Sequence, residues 1–287
     1  MSFKYFEDLW NLWYTELHNG TAGLSLKIKK VLYSGESKFQ RIEVFDTYEY
    51  GKMLVLYGSI MFTERDEFVY HEMIAHVPLF VHPSPETVLV IGGGDGGTVR
   101  EVLRHPEVKK VKMVEIDEQV VEISKKYFPQ MSSGFSDKRL TLIFKDGAEF
   151  VKTDPGKYDV LIVDSADPVG PADVLFREEF FINTKKRLKE NGIFIAQTES
   201  PFYHSDIVKN TYSILKGLYK NVFMYWAWIP AYPSAIWSFS FCSDSLHPLE
   251  DFKEERYREL SLETKYYNKG IHFGAFSLPN FAHKLIK

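Results

Sequence analysis

Acidic residues at four points of this sequence stand where an α/β sheet presents its chemistry. Asp95, Glu115, Asp146 and Asp164 each follow an apolar, strand-like run: Val88–Ile91, Val111–Val114, Leu140–Phe144 and Tyr158–Val163. In open α/β sheets ligands sit outside the carboxyl ends of the strands, so these carboxylates converge on one edge. An acid at a strand end also serves as a cap for the next helix, and each alone is open to that reading. Asp167, three residues beyond Asp164, adds a fifth acid. A pocket of this many acids selects a polycation. Asp164 is the candidate general base, because neighbouring carboxylates and partial burial raise its proton affinity.

The first of these acids sits in an unusual place. Gly92-Gly93-Gly94-Asp95-Gly96-Gly97 packs five glycines into six positions, a turn whose backbone must pass close to something. Gly92, Gly94 and Gly97 match G-x-G-x-x-G, which points to a nucleotide or nucleoside. Asp95 argues against a pyrophosphate there, since like charges repel in a dry turn, and less strongly against an S-adenosylmethionine tail, which bears a carboxylate. An amine without a carboxylate suits it better. The alternative is that Asp95 points to solvent. Glu115 follows Gly92 by 23 residues, where an acid accepts hydrogen bonds from ribose hydroxyls. Asp146-Gly147 stands where a carboxylate takes an adenine amino group, or else is a simple turn.

Other chemistries are disfavoured. His71-Glu72 with His76 misses H-E-x-x-H, because the second histidine is five residues on and leaves the shared helix face. The single cysteine, Cys242, excludes an internal disulfide and any cysteine-based zinc site. Thirty-five basic against 39 acidic residues, net −4, with no basic stripe, disfavours nucleic acid. The N-terminus lacks a signal-peptide pattern, and no apolar run approaches the ~18 residues that span a bilayer. A cytoplasmic protein is expected, with no membrane partner.

The elements that must position these acids read as alternating β and α units, the pattern of a mostly parallel, doubly wound sheet. After the four strands above, a fifth is expected at Ile193–Gln197, preceded by a helix at 176–190 that stops at Asn191-Gly192. Further helices are expected at about 118–128, 147–152 and 205–219, and the runs 221–229 and 236–242 suit a closing antiparallel pair. Asp164–Pro171, with two prolines and a glycine, shapes a loop able to close over a site. Thr63-Glu64-Arg65-Asp66 reads as a helix start with Thr63 as cap, the helix running to Leu79. Alternation at 24–29 and 39–45, with strands at 53–57 and 59–62, gives a small antiparallel sheet. The domains expected are 1–62, β-stranded, and 63–287, carrying the site.

Taken together these stretches resemble the spermidine synthase family, the polyamine aminopropyltransferases. The resemblance rests on Thr63–Phe68 with Tyr70–Met73, Gly92–Gly97, Glu115-Ile116-Asp117, Asp146-Gly147, Asp164–Pro171 and Tyr232-Pro233-Ser234, and extends from Trp13–Glu16 to Leu278-Pro279. It implies a methyltransferase-like Rossmann domain behind a small N-terminal β domain. It implies aminopropyl transfer from decarboxylated S-adenosylmethionine, a co-substrate rather than a cofactor, to putrescine, giving spermidine and methylthioadenosine, with no metal. Carried over by position, Gln40 and Asp95 hold the donor, Glu115 its ribose, Asp146 and Gly147 its adenine, and Pro171 lies against the nucleoside. Tyr70 and His71 line the polyamine groove with Asp95, and Asp167, Tyr232 and Trp237 lie further along it. Asp164 deprotonates the attacking amine. A homodimer or homotetramer is implied, with the N-terminal sheet a plausible contact. Where family members often carry Gly after Tyr-Pro-Ser, this chain has Ala235, which leaves the acceptor open to agmatine, cadaverine or a longer amine. Competing readings are an S-adenosylmethionine-dependent methyltransferase and a non-catalytic polyamine-binding protein.

Overall fold

Two sheets carry the chain. The computed structural model describes residues 11–18, 20–168 and 170–287, and of Pro171 the backbone alone. The first sheet is an antiparallel meander of β1 (Trp13–His18), β2 (Ala22–Glu36), β3 (Arg41–Thr47), β4 (Lys52–Leu56) and β5 (Ser59–Thr63), in that spatial order. β1 is a strand the sequence pattern does not reveal, because its alternation is inverted. Glu16 and His18 point inward and are buried, while Trp13 and Leu17 are 50% and 67% exposed.

A buried helix, α1 (Glu67–Leu79), joins this sheet to the second. Its start differs from expectation. Asp66, not Thr63, occupies the cap position, and the Thr63 hydroxyl instead donates to the Asp66 carboxylate at 2.5 Å. The other Asp66 oxygen accepts the Ala231 N–H at 2.9 Å, tying this junction to the far end of the chain.

The second sheet is built from β6 (Thr87–Gly92), α2 (Gly97–Leu103), β7 (Lys110–Glu115), α3 (Glu118–Tyr127), β8 (Leu140–Phe144), α4 (Gly147–Thr153), β9 (Tyr158–Asp164), α5 (Glu178–Lys186), β10 (Leu188–Gln197), α6 (Ser205–Leu218), β11 (Asn221–Trp228) and β12 (Ile236–Ser243). Its order is β11-β12-β10-β9-β6-β7-β8; β8 to β10 run parallel, and β12 pairs antiparallel with β10 and β11. Short helices α7 (Glu254–Leu260), α8 (Lys269–Gly274) and α9 (Asn280–Leu285) end the chain. Strands buried on both faces explain the unbroken apolar runs: Val88 and Val90 pack with α1 and α2, while Leu89 and Ile91 pack with α4 and α5. Among the described residues no helix is long and apolar enough to cross a membrane.

The helix expected over 176–190 ends earlier, at Lys186, and the chain re-enters the sheet at Leu188. Asn191-Gly192 therefore lies inside β10, where the register with β9 shifts between Leu188 and Ile193. The turn-forming pair makes an irregularity in a strand rather than a helix stop.

Ala235 also differs from expectation. It does not line the ligand cavity, so its methyl does not reshape a groove wall there. It follows Ser234 in a tight turn, and both have left-handed φ, 58° and 56°. The turn closes through Ala235 N–H to the Tyr232 carbonyl at 2.8 Å. A glycine fits this conformation without the Cβ penalty. Ala235→Gly should therefore stabilise the protein by about 1 kcal/mol and raise its Tm by roughly 2 °C, with turnover unchanged. A fall in Tm by scanning calorimetry would refute this account of the turn.

Candidate active site

Register brings the acids together. Gly92 and Asp164 are direct partners across the parallel pair β6–β9, so the glycine turn and the candidate base lie side by side at the sheet's carboxyl edge. The strand order reverses there, the crevice where ligands bind in such sheets. Gly92 has φ +85°, and a Cβ there would collide with the Asp164 carbonyl. Gly97 matters for a different reason: a Cβ would overlap the His71 ring, so glycine lets α2 close onto α1.

His71, Asp95 and Asp164 form the centre, with one nitrogen or oxygen atom of each lying within 4.8 Å of the others. His71 Nε2 is 3.2 Å from Asp95 Oδ1, and its Nδ1 is 2.6 Å from Glu67 Oε2, one turn earlier on α1. Arg100 grips the Glu67 carboxylate with both terminal nitrogens, at 3.1 and 2.9 Å. Burial opposes charge on the His71 ring, but Asp95 and Glu67 more than offset it and push its pKa up to about 10. Both His71 ring nitrogens thus face carboxylates, an arrangement that favours the imidazolium. It lines the cavity as a charge that holds Asp95 ionised. Burial presses the Asp95 carboxyl upward, and the His71 charge and the Gly97 N–H outweigh it, leaving it below the usual range. Asp95 Oδ1 also accepts that N–H at 2.7 Å, so Asp95 does not point idly to solvent.

Asp164 is pushed the other way. Burial, then the Asp95 charge, raise it to about 6 against the opposing pull of His71 and hydrogen bonds from Thr98 and Tyr70. Thr98 Oγ1 donates to Asp164 Oδ2 at 2.7 Å. Two neighbouring carboxylates are thereby separated in function: one fixed as an anion, the other poised to exchange a proton near neutrality.

The remaining expected residues divide between two arms of one cavity. In the first arm, burial pushes Glu115 up to about 7 although its Oε1 accepts the Asp117 N–H at 2.9 Å. Gly94 leaves room for the other Glu115 oxygen. Asp146 caps α4, its Oδ1 accepting Ala148 N–H at 2.7 Å and Glu149 N–H at 3.2 Å, yet it also lines the cavity. Cap and ligand group are not exclusive, because the second oxygen is free of both bonds. Gly147 packs tightly against Ile91, so its missing side chain seats α4 on β6. Gln40 reaches in from the first sheet, where its amide donates to Asp117 Oδ2 at 3.1 Å. The expected contact of Pro171 falls outside the described side chains.

In the second arm stand Tyr70, Tyr232, Trp237 and Asp167. Tyr70 packs edge-on to His71 at 5.5 Å, and Trp237 edge-on to Tyr232 at 4.8 Å. Trp237 is buried and its indole N–H has no partner. Several cavity residues escaped the sequence reading, three polar ones among them. Glu16 comes from the inverted strand β1. Gln197 ends β10 as the four acids end theirs, and was legible by the same rule. Ser59 opens β5. Glu67 lies behind the cavity wall, and its i,i+4 spacing to His71 was the available signal.

Fold and cavity define a class: a Rossmann-like domain with an acid-lined groove at the sheet's carboxyl edge. The chain belongs to the spermine/spermidine synthase family. The family model described as "Spermine/spermidine synthase domain" matches residues 67–254, and one described as "Spermidine synthase tetramerisation domain" matches residues 12–64. The polyamine aminopropyltransferase of Alkaliphilus metalliredigens is 47% identical over 279 residues, covering 96% of this chain and 98% of that protein. That of Methanocaldococcus jannaschii is 47% identical over 281 residues, covering 96% of both. Among solved structures, a spermidine synthase in complex with the transition-state analogue AdoDATO superposes with a TM-score of 0.93 at 44% identity, covering 96% of this chain and 94% of that one. The spermidine synthase of Thermotoga maritima gives 0.90 at 43% identity, with the same coverage.

Proposed function

We propose that this enzyme transfers the aminopropyl group of decarboxylated S-adenosylmethionine to putrescine, giving spermidine and methylthioadenosine. The observation that carries this reading is the centre itself, where Asp95 is held ionised beside an Asp164 poised near 6. An ionised acid at the glycine turn suits a donor that ends in an amine. A poised acid beside it suits an acceptor that must lose a proton.

The chemistry needs few parts. The donor sulfonium activates its own methylene. The acceptor nitrogen forms a bond to that carbon, the C–S bond breaks, and its electron pair returns to sulfur, leaving neutral methylthioadenosine. Asp164 takes a proton from the acceptor ammonium beforehand, freeing the lone pair that attacks. The protein's task is alignment and charge compensation in an enclosed site. Asp95 holds the donor amine. Glu115 binds the ribose, Asp146 and Gly147 face the adenine, and Gln40 and Pro171 complete that arm. Tyr70, Tyr232 and Trp237 flank the aliphatic chain of the acceptor, with Asp167 at its far end. No cofactor or metal enters this scheme. The first sheet supplies the oligomer contact, in keeping with the family description of residues 12–64.

A panel of putrescine, agmatine and cadaverine with decarboxylated donor, read by product mass, tests the reading. Aminopropylated putrescine as the dominant product is expected. Dominant transfer to another amine overturns the acceptor assignment, and methyl transfer from S-adenosylmethionine overturns the reaction.

A further inference from the structure

A cluster of charges behind the cavity wall takes no part in the transfer itself. Glu67 and Arg100 lie outside the cavity lining. Glu67 stands one turn before His71 on α1, with Oε2 2.6 Å from His71 Nδ1. Arg100 on α2 spans the same carboxylate, Nη1 to Oε1 at 3.1 Å and Nη2 to Oε2 at 2.9 Å. Arg100 is itself held, because its Nε donates to Glu101 Oε1 at 2.7 Å, and Glu101 Oε2 accepts from Arg104 at 2.7 Å. A planar fork on a carboxylate fixes orientation as well as charge. Glu67 cannot turn from His71 without breaking both bonds to Arg100.

The groups facing the His71 ring come from three elements. Glu67 meets one nitrogen, and Asp95, from the turn before α2, meets the other at 3.2 Å. Asp164 from β9 brings an oxygen within 4.8 Å of a ring nitrogen. Tyr70 packs edge-on at 5.5 Å, and burial keeps its phenol protonated. On the substrate side, then, two carboxylates share one ring. With the ring charged, the three groups sum to −1; with it neutral, they sum to −2. A doubly negative centre holds an amine as its ammonium, which has no lone pair to attack carbon.

We propose that Glu67, oriented by Arg100, is a positioning residue that keeps His71 charged, and that this charge lets the acceptor nitrogen give its proton to Asp164. Glu67 acts through His71 and touches no substrate. This inference rests on the amine-acceptor reading above. Glu67 and Asp95 together hold the ring's pKa up at about 10, so the ring loses its charge only as pH rises through that value. Without Glu67 the same loss should come about two pH units lower, as removal of one close opposite charge implies.

The experiment compares kcat and the putrescine KM of the full-length enzyme, Glu67→Gln, His71→Gln and the double variant, with decarboxylated donor, from pH 7 to pH 9. A neutral ring adds about one pH unit to the proton affinity of the amine, about tenfold in free amine. The kcat of Glu67→Gln relative to the unaltered enzyme should therefore fall roughly fivefold between pH 7 and pH 9, with the putrescine KM unchanged or lower. His71→Gln lacks the charge at every pH, so its relative kcat should be reduced and flat, and adding Glu67→Gln should leave it flat. A merely structural role for Glu67 would raise KM or lower kcat equally at every pH, and either result overturns the proposal. A relative kcat that still falls with pH in the double variant overturns it too, as does a neutral His71 ring at pH 8 in the unaltered enzyme by ring-nitrogen NMR. Should Glu67→Gln fail to fold, Glu67→Asp decides, because it draws the carboxylate back by one methylene. A relative fall of about twofold is then expected, and a flat ratio overturns the proposal. Absence of any aminopropylated amine with the unaltered enzyme overturns the function itself, an outcome distinct from all of these.

Discussion

Asp164→Asn should lower turnover by about three orders of magnitude, the upper range for loss of a general base, while changing methylthioadenosine affinity less than about threefold. The asparagine fills the same space and keeps an oxygen for the Thr98 hydroxyl, now 2.7 Å from Asp164 Oδ2. The sign of the pH dependence follows from the raised proton affinity. The carboxylate is the active form, so kcat/KM, which reports the free enzyme, should fall as pH drops through about 6 and level off above it. In the variant that acidic limb should vanish from the residual rate. Near-normal turnover, or a limb of unchanged position in the variant, would remove Asp164 from its role.

The second large effect is expected at Asp95. Asp95→Asn removes the charge that faces His71 Nε2 and, in the proposed reaction, the donor amine. Breaking a partly buried ionic contact on one side costs about 3 kcal/mol, so kcat/KM should fall roughly a hundredfold. A simple loss of contact would stop there. Here Asp95 also raises the proton affinity of Asp164, so its removal should move the acidic limb of the residual activity to lower pH. A rate loss with the limb unmoved would mean that the two carboxylates are uncoupled.

Most of the second sheet was legible in the sequence because its strands are buried on both faces. Val88–Ile91 and Val160–Val163 have no polar interruption to blur them, and an acid follows where each chain leaves the sheet. The centre was legible for the same reason. The misses have physical causes. Asn191-Gly192 carries strong turn chemistry, and pairing of the flanking Leu188 and Ile193 with β9 keeps it as an irregularity inside the strand. Glu16 was hidden because a strand with polar residues inward and Trp13 and Leu17 outward reads as no amphipathic strand at all. The contact of His71 with Asp95 depended on how α2 and the turn before it approach α1, which sequence spacing does not give.

The inverted strand β1 has one more consequence. Among the described residues it is an edge strand, paired only with β2, and its side chains alternate strictly. A slip of one residue would carry Leu17 into the cavity and turn Glu16 out to water. The outward face thus acts as a latch on the inward one. Whatever shields Trp13 and Leu17 from solvent also favours the register that keeps Glu16 in the cavity. Dilution that uncovers that face should loosen the enzyme's grip on its acceptor before it unfolds any domain.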